Sequence, residues 1–486
     1  MTFTNERLID IIEECLNLPD ETDWVEFKHN NADYNMLWER LCGLSNSACL
    51  SWKDYAFLIY WIEDWTLEIK WTDFIPEKKK EGWQPFMFKL SKDIQPDNIY
   101  VDVKSIKYKW FDLVIFIVPS ANDRPTEFKH KSYLRIGTAN PPLSNYPDKE
   151  RKIWNNVYNK NFEKQISLSW LMKEEIFEYL NINKFLDLMW INKSENDDEV
   201  LNHLKQYKII KKTLSRYDIT NLWALLFANN LSIFESIKSK WVRVVVYDWI
   251  DKSANNKSYD WNKWYALWFE DLLKSISLLI PSFEKIVEGR RVPTNVYPSI
   301  AIREFVANAL IHQDLWISWT SPLIEIYKDR IEITNPGIPL IEINRFIDNW
   351  ISRNEDLSDM MRKIKFCEKL WSWIDKAIIA IEKDKLPAPK IEKLDNYTKV
   401  ILYSWEKVET LTKEDRIRAC FFHCCIRYIL KDYMTNSSFR ERMNLDDNQH
   451  NISWSIISQT VEAWLIKVLD TENKANRYTK YVPYWH

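Results

Sequence analysis

Five glycines in a chain of 486 residues, set against 26 tryptophans, constrain this sequence more than any other feature. At an average usage of about 7 per cent, a chain of this length would carry roughly 34 glycines. Tight turns and helix ends need backbone with positive φ, where a Cβ clashes and glycine is the default occupant. Tryptophan stands where such glycines belong. Asp23-Trp24, Ser51-Trp52, Asp64-Trp65, Asp248-Trp249, Asp260-Trp261, Asn349-Trp350 and Ser372-Trp373 all have the form of polar-glycine turns. A bulky side chain is a poor occupant of that backbone. The pattern is that of a gene in which the opal codon UGA encodes glycine, translated under a code that reads it as tryptophan. The alternative is a tryptophan-rich chain whose indoles fill cores, and Trp154 and Trp485 are read as genuine.

The other bulk properties narrow the function classes. A formal net charge of -3 provides no global field favouring nucleic acid, so any DNA contact must be local. The length allows three or so domains, each with its own core. The longest apolar run, residues 111–118, is well short of a membrane span and reads as a buried strand. The first residues, MTFTNERLIDIIEE, form an acidic amphipathic helix rather than a signal peptide. Seven cysteines without a disulfide-framework spacing fit a reducing cytoplasm.

Along the chain, residues 1–150 alternate short strands and helices, with strands expected at 55–62 and 113–118 and a helix at 35–49 between them. Residues 151–215 read as a helical connector. A strand-rich α/β region covers 216–403, and residues 404–486 give short helices followed by a basic, strand-like tail. The fold class expected is a multi-domain α/β (α+β) protein.

In the first region, ETDWVEFKHN is followed by GLSNSACL, IYWIED and SYLRIGT. With Trp61 read as glycine, this series resembles the Schlafen AlbA_2 domain: a strand bearing Glu-Phe-Lys, a helix ending in Asn, a strand ending in Gly-x-x-Asp, and a late Arg-x-Gly. For members with nuclease activity the resemblance implies a metal site built from Glu21, Glu26 and Asp64, hard oxygen ligands that could hold a divalent cation against a phosphodiester. It also implies nucleic-acid contact through Lys28 and Arg135. The alternative is that these acids form a solvated edge or an internal ion pair with Lys28.

The most specific motif is YPSIAIREFVANALIHQD, residues 297–314. It reads as one helix in which Ala301, Phe305 and Ala309 face inward while Glu304, Asn308 and His312, four residues apart, share a polar edge. The second box, KDRIEITNPG, delivers Asn335-Pro336-Gly337 to the end of a strand, where open α/β sheets place ligands. The third box is Leu370-Trp371-Ser372-Trp373-Ile374. Together they resemble the GHKL-type ATPases, and the whole chain resembles bacterial ATP-binding transcriptional regulators that join an AlbA_2 domain, a GHKL-type ATPase domain and a C-terminal winged helix. The resemblance implies that Glu304 orients the attacking water, that Asn308 holds the magnesium ion of ATP, and that His312, Asn335 and Gly337 line the nucleotide site. Asn335 stands where typical GHKL proteins have Asp, which leaves base selectivity open. With glycines at 371 and 373, Trp371, Ser372 and Trp373 become a loop whose bare N–H groups could approach phosphates; with tryptophans, two indoles block it. Residues 338–369, containing SRNEDL at 352–357, correspond to the ATP lid of that fold. A RecG-type helicase is excluded, because neither a Walker loop nor paired helicase motifs occur.

The C-terminal segment, with Trp454 and Trp464 read as glycines, resembles the winged helix of the same family. Thr435 or Asn436 would cap one helix, and residues 452–463 would form a recognition helix with Ile456, Ile457 and Val461 inward. Ser453, Ser455, Gln459 and Thr460 are then expected outward to read base edges, and Lys474, Arg477 and Lys480 to hold phosphates. The same domain could instead serve protein contacts or dimerisation. Upstream, Cys420, His423 and Cys424 share a helical face but lack a fourth ligand, so buried thiols are expected rather than a metal site. The expectation is a cytoplasmic, homodimeric regulator that binds ATP with Mg2+ and DNA, with slow or regulatory hydrolysis. The alternatives are a nucleotide-gated, metal-dependent nuclease acting through the AlbA_2 domain and an ATP-gated protein-interaction module.

Overall fold

The computed structural model describes residues 3–16, 22–29, 33–60, 62, 74–76, 78–81, 83–96, 99–158, 161–213, 215–252, 256–261, 265–287, 290–317, 319–348, 351–367, 373–404, 410–469 and 479–486. Contacts divide the chain into two compact units between Asn161 and Phe162.

In the first unit a four-stranded sheet runs in the order Val25–Lys28, Tyr55–Tyr60, Phe111–Pro119, Asp102–Tyr108. The first pair is parallel and the rest antiparallel, so the first two strands need a crossover, which the helix Tyr34–Leu50 supplies. Asp33 starts that helix by accepting the Met36 N–H at 2.9 Å. Its GLSNS segment is a buried polar seam. Asn46 donates to the carbonyls of Thr126 and Tyr133 at 2.9 and 2.8 Å and accepts the Thr126 N–H at 2.8 Å. Ser45 donates to the Pro119 carbonyl at 2.7 Å, and the Arg135 N–H donates to Ser47 at 3.0 Å. Gly43 lets this segment pack closely, since a Cβ there would lie 2.5 Å from the Asn140 side-chain oxygen, which would have to turn aside, and 3.3 Å from the Arg135 backbone nitrogen. The helix Pro147–Tyr158 packs beside the Tyr34–Leu50 helix and so belongs to this unit.

The second unit opens with a three-stranded antiparallel sheet, Ile166–Leu171, Arg216–Thr220 and Ile210–Thr213, and the short helices Lys173–Tyr179, Ile182–Leu188 and Asp197–Gln206. Leu171, Phe185 and Leu204 from this segment share one apolar core with Phe269, Phe305, Leu310, Ile324 and Ile333. The six-stranded sheet that follows has the order Asn256–Trp261, Val242–Tyr247, Leu323–Ile326, Arg330–Pro336, Tyr397–Tyr403, Lys390–Lys393. Val242–Tyr247 pairs parallel to Leu323–Ile326, and the other pairings are antiparallel. The helices Tyr265–Leu279 and Ser299–Ile311 lie in the crossover between those parallel strands.

Three helices, Lys413–Ile429, Asn436–Met443 and His450–Glu462, and a hairpin of Ile466–Val468 with Tyr481–Pro483 end the chain. Their core of Cys420, Phe421, Phe439, Met443, Ile456 and Tyr481 continues onto Ile378 and Ile391 of the preceding region. Thr435 caps the second helix, as expected, by accepting the Ser438 N–H at 3.2 Å.

The glycine deficit is visible in the backbone. Trp52, Trp170, Trp190 and Trp464 have φ between 53° and 59°. Trp52, Trp190 and Trp464 each sit just past a helix end. In each case two hydrogen bonds reach back into the last turn, as in Lys53 N to Ala48 O at 2.9 Å, Ile191 N to Leu186 O at 2.9 Å and Leu465 N to Thr460 O at 3.3 Å. This is the left-handed helix stop that glycine normally occupies. Trp190 and Trp464 are 82% and 71% exposed, so no core holds their indoles there. The other expected glycine slots differ. Trp24 is buried against Phe57, Trp249 is exposed without positive φ, and Trp261 lies in a strand opposite Val242. Trp61, Trp65, Trp350 and Trp371 lie outside the described residues.

Candidate functional site

The Tyr297–Asp314 motif folds as the helix Ser299–Ile311, with His312 at its C-terminal cap. Glu304 is fully buried and both its carboxylate oxygens lack a hydrogen-bond partner among the described residues. Among the described residues the nearest cation is Arg303, 4.0 Å away. Burial raises the Glu304 pKa, and the charges of Arg303 and Lys376 only partly oppose that. One turn on, Asn308 Nδ2 is likewise buried without a partner among the described residues. Two orphaned polar groups four residues apart are costly in a finished protein and fit a site completed by water, a metal ion or a ligand.

Asn308 and His312 open onto a cavity of about 340 Å³. Burial and the nearby Arg353 push the His312 imidazole down to about 4, so it is neutral at pH 7. Asn335, next to the end of the strand Arg330–Pro336, also lines the cavity, and Gly337 follows the strand with φ 106°. A Cβ at Gly337 would lie 3.1 Å from the Asp314 backbone nitrogen, so the turn needs glycine on both conformational and steric grounds. Its carbonyl accepts a bond from Thr398 Oγ1 at 2.8 Å, which ties the turn to the neighbouring strand.

The SRNEDL segment forms part of the wall. Arg353 donates to Asp314 at 3.3 Å and to the Ile338 carbonyl at 2.7 Å. Asn354 donates to the carbonyls of Ile311 and Gln313 at 2.7 and 2.8 Å, bracing the end of the Glu304 helix. Ile338, Leu340, Ile347, Ile374 and Val400 make much of the remaining surface apolar. Asp375, near the start of the helix Trp373–Lys383, is pushed up to about 6 by burial, reinforced by the Asp348 charge. Trp371 and Ser372 lie outside the described residues, as does the side chain of Trp373. Tyr428, Ile429 and Lys431 also line the cavity, although they belong to the C-terminal helices and carry no motif that sequence reading could have used.

The sequence-based expectations for the first unit need correction at Glu26. Its fully buried carboxylate is ion-paired with Arg40 and Arg135, with Lys28 at 3.6 Å. Three cations already neutralise it, so it has no oxygen left to offer a metal. Lys28 and Arg135 are thereby committed to an internal cluster rather than a surface. Arg40 escaped notice because no motif marks it. Glu21 and Asp64 lie outside the described residues, and no group of three metal-ligating side chains occurs among those described.

Corrections also apply near the C-terminus. Ser453 and Thr460 are fully buried. Ser453 donates to the His450 carbonyl at 2.9 Å and accepts from Asn436 at 2.6 Å, while Thr460 donates to the Ile456 carbonyl at 2.7 Å. Neither can read a base. Ser455 is exposed, and Gln459 donates to it at 3.1 Å. Lys480 is exposed over the Tyr433 ring, whereas Lys474 and Arg477 lie outside the described residues. His423 has both ring nitrogens engaged, Nδ1 with Glu382 at 3.0 Å and Nε2 with Ser438 at 3.2 Å, which agrees with the structural reading of the cysteine-rich helix.

Residues 21–144 match the family described as "Schlafen, AlbA_2". Residues 320–402 match the family HATPase_c_4, described as "Putative ATP-dependent DNA helicase recG C-terminal". No curated protein matches. Among solved structures, the chain is similar to the DIP2311 protein from Corynebacterium diphtheriae, with 16% identity, 98% of this chain and 97% of that chain covered, and a TM-score of 0.43. The chain thus contains an AlbA_2 domain and an ATPase-like domain within a multi-domain α/β fold. No helix among the described residues is long and apolar enough to cross a membrane.

Proposed function

We propose that the chain is a nucleotide-responsive regulator that binds ATP with Mg2+ in the central region and DNA through its C-terminal helices. The observation that carries the ATP reading is the orphaned pair Glu304 and Asn308, one turn apart on the same helix, of which Asn308 lines a cavity that Asn335 also lines. Asn308 would hold the metal ion, which when bound supplies charge neutralisation for the phosphates. Glu304 would orient a water molecule and accept its proton, a role suited to a carboxylate whose pKa burial has raised. His312, neutral at pH 7, adds no charge to the wall and can only position.

A winged-helix reading is supported by the element order of three helices and a hairpin, with Met434 bridging to Tyr481 as a minimal third strand. Ser455, Gln459 and Lys480 remain as candidate DNA contacts, and dimerisation would supply a second half-site. The nuclease alternative loses support because Glu26 is internally neutralised.

The test is calorimetry of the full-length chain carrying Trp371→Gly and Trp373→Gly. Magnesium-dependent ATP binding is expected. Turnover should be lost and binding kept on Glu304→Ala, and an absence of nucleotide binding would remove the reading.

A further inference from the structure

The nucleotide cavity is not built by the ATPase-like region alone, since Tyr428, Ile429 and Lys431 from the end of the helix Lys413–Ile429 form part of its wall. The charges on that wall are unevenly committed. Arg353 is paired with Asp314, and Asp348 with Arg345 at 2.6 Å. Asp375 is pushed up to about 6 and His312 down to about 4, each chiefly by burial. Lys431 differs: it lies at the exposed rim of the cavity, and its ammonium has no hydrogen-bond or ion-pair partner among the described residues. A triphosphate brings several negative charges, and a pocket that takes it needs a cation free to answer them.

We propose that Lys431 is an anion-binding residue of the nucleotide site, so that the C-terminal helices take part directly in holding the phosphate chain. The proposal rests on the reading of this cavity as a nucleotide site and adds its coupling to the C-terminal region. Lys431 sits in the turn that stops its helix, with φ 62°, its N–H bonded to the Tyr428 carbonyl at 3.0 Å and the Asp432 N–H to the Arg427 carbonyl at 2.8 Å. The backbone therefore fixes where the side chain starts. Because binding coupling is reciprocal, a nucleotide held by Lys431 also favours the docked position of these helices.

The left-handed backbone makes the test clean. Lys431→Gly removes the ammonium while relieving conformational strain, so a loss of binding cannot be attributed to unfolding. In the full-length Trp371→Gly, Trp373→Gly chain, calorimetry with Mg2+ should show ATP binding weakened about tenfold by Lys431→Gly, ADP less so, and adenosine within about twofold. Lys431→Arg should retain most of the ATP affinity, and the thermal midpoint of Lys431→Gly should not fall. Unchanged ATP affinity in Lys431→Gly, or an equal loss for adenosine, overturns the proposal while leaving the nucleotide reading in place. If the parent chain binds neither ATP nor adenosine, the nucleotide reading fails and the proposal with it.

Discussion

Replacing the tryptophans that stop helices with glycine should stabilise this protein, against the usual rule that removing a large apolar side chain does harm. At Trp190 and Trp464 the left-handed backbone costs an L-residue roughly 1–2 kcal/mol. Glycine returns about 0.5–1 kcal/mol of that through its freer unfolded chain. Little packing is sacrificed, because the indoles are 82% and 71% exposed. Trp190 gives up an exposed cation–π interaction with Lys365 and Trp464 an edge-on ring interaction with Tyr484, each about 0.5 kcal/mol. The net change is a gain of up to about 1 kcal/mol per site from those terms. Trp170 is the internal contrast: its φ is 59° but it is only 8% exposed. There the cavity left by truncation, about 3–5 kcal/mol, outweighs the relieved strain and the variant should lose about 2 kcal/mol or more. Urea unfolding of the single variants measures all of this. Destabilisation by more than about 1 kcal/mol in Trp190→Gly and Trp464→Gly, or a neutral Trp170→Gly, would refute the strain argument.

The coding DNA should carry opal codons at Trp52, Trp61, Trp65, Trp190, Trp249, Trp371, Trp373 and Trp464, and UGG codons there would sink the recoding idea. Asn308→Ala should remove the magnesium-dependent part of ATP affinity and leave metal-free binding, measured by titration with and without chelator. Glu26→Ala should cost on the order of 3–5 kcal/mol by removing the buried carboxylate that Arg40 and Arg135 pair with, read by denaturant unfolding of the first unit. Because the Asp375 carboxyl is raised to about 6, its contribution to stability is complete below about pH 4 and is lost as pH rises through about 6. Asp375→Asn should flatten that part of the stability–pH profile. For DNA, Lys480→Ala should lower the salt slope of duplex binding by about one unit, Gln459→Ala should change sequence preference, and Ser453→Ala should change only stability. Anisotropy titrations at several salt concentrations separate the three.

Helices with a continuous apolar stripe were legible: the motif at 297–314 gave the Glu304 helix, and residues 35–49 gave the crossover of the first sheet. The Asn335-Pro336-Gly337 turn was legible because glycine is scarce here and its position therefore carries information. Polarity misled at Ser453 and Thr460, which lie on the same helical stripe as Ile456 and Ile457; the spacing placed them inward and only their hydroxyls suggested otherwise. The Glu26 cluster was hidden for a different reason. Arg40 comes from a helix and Arg135 from a distant loop, and no local pattern announces that two cations will meet one carboxylate after folding. The contribution of Lys431 to the cavity was invisible on the same grounds, since it depends on how the C-terminal helices pack.

The single parallel pairing described in the six-stranded sheet has a consequence for how the chain is made. Val242–Tyr247 and Asn256–Trp261 can zip together as soon as both have left the ribosome, since a short antiparallel hairpin closes in microseconds. The other edge of Val242–Tyr247 must wait for Leu323–Ile326. At about 5–20 residues per second that wait lasts several seconds, during which a strand rich in valine shows a row of unpaired N–H and C=O groups. Nascent chains stalled between these two strands should therefore be the ones that recruit chaperones or aggregate, and chains stalled beyond residue 403, where the last strands of the sheet are available, should not.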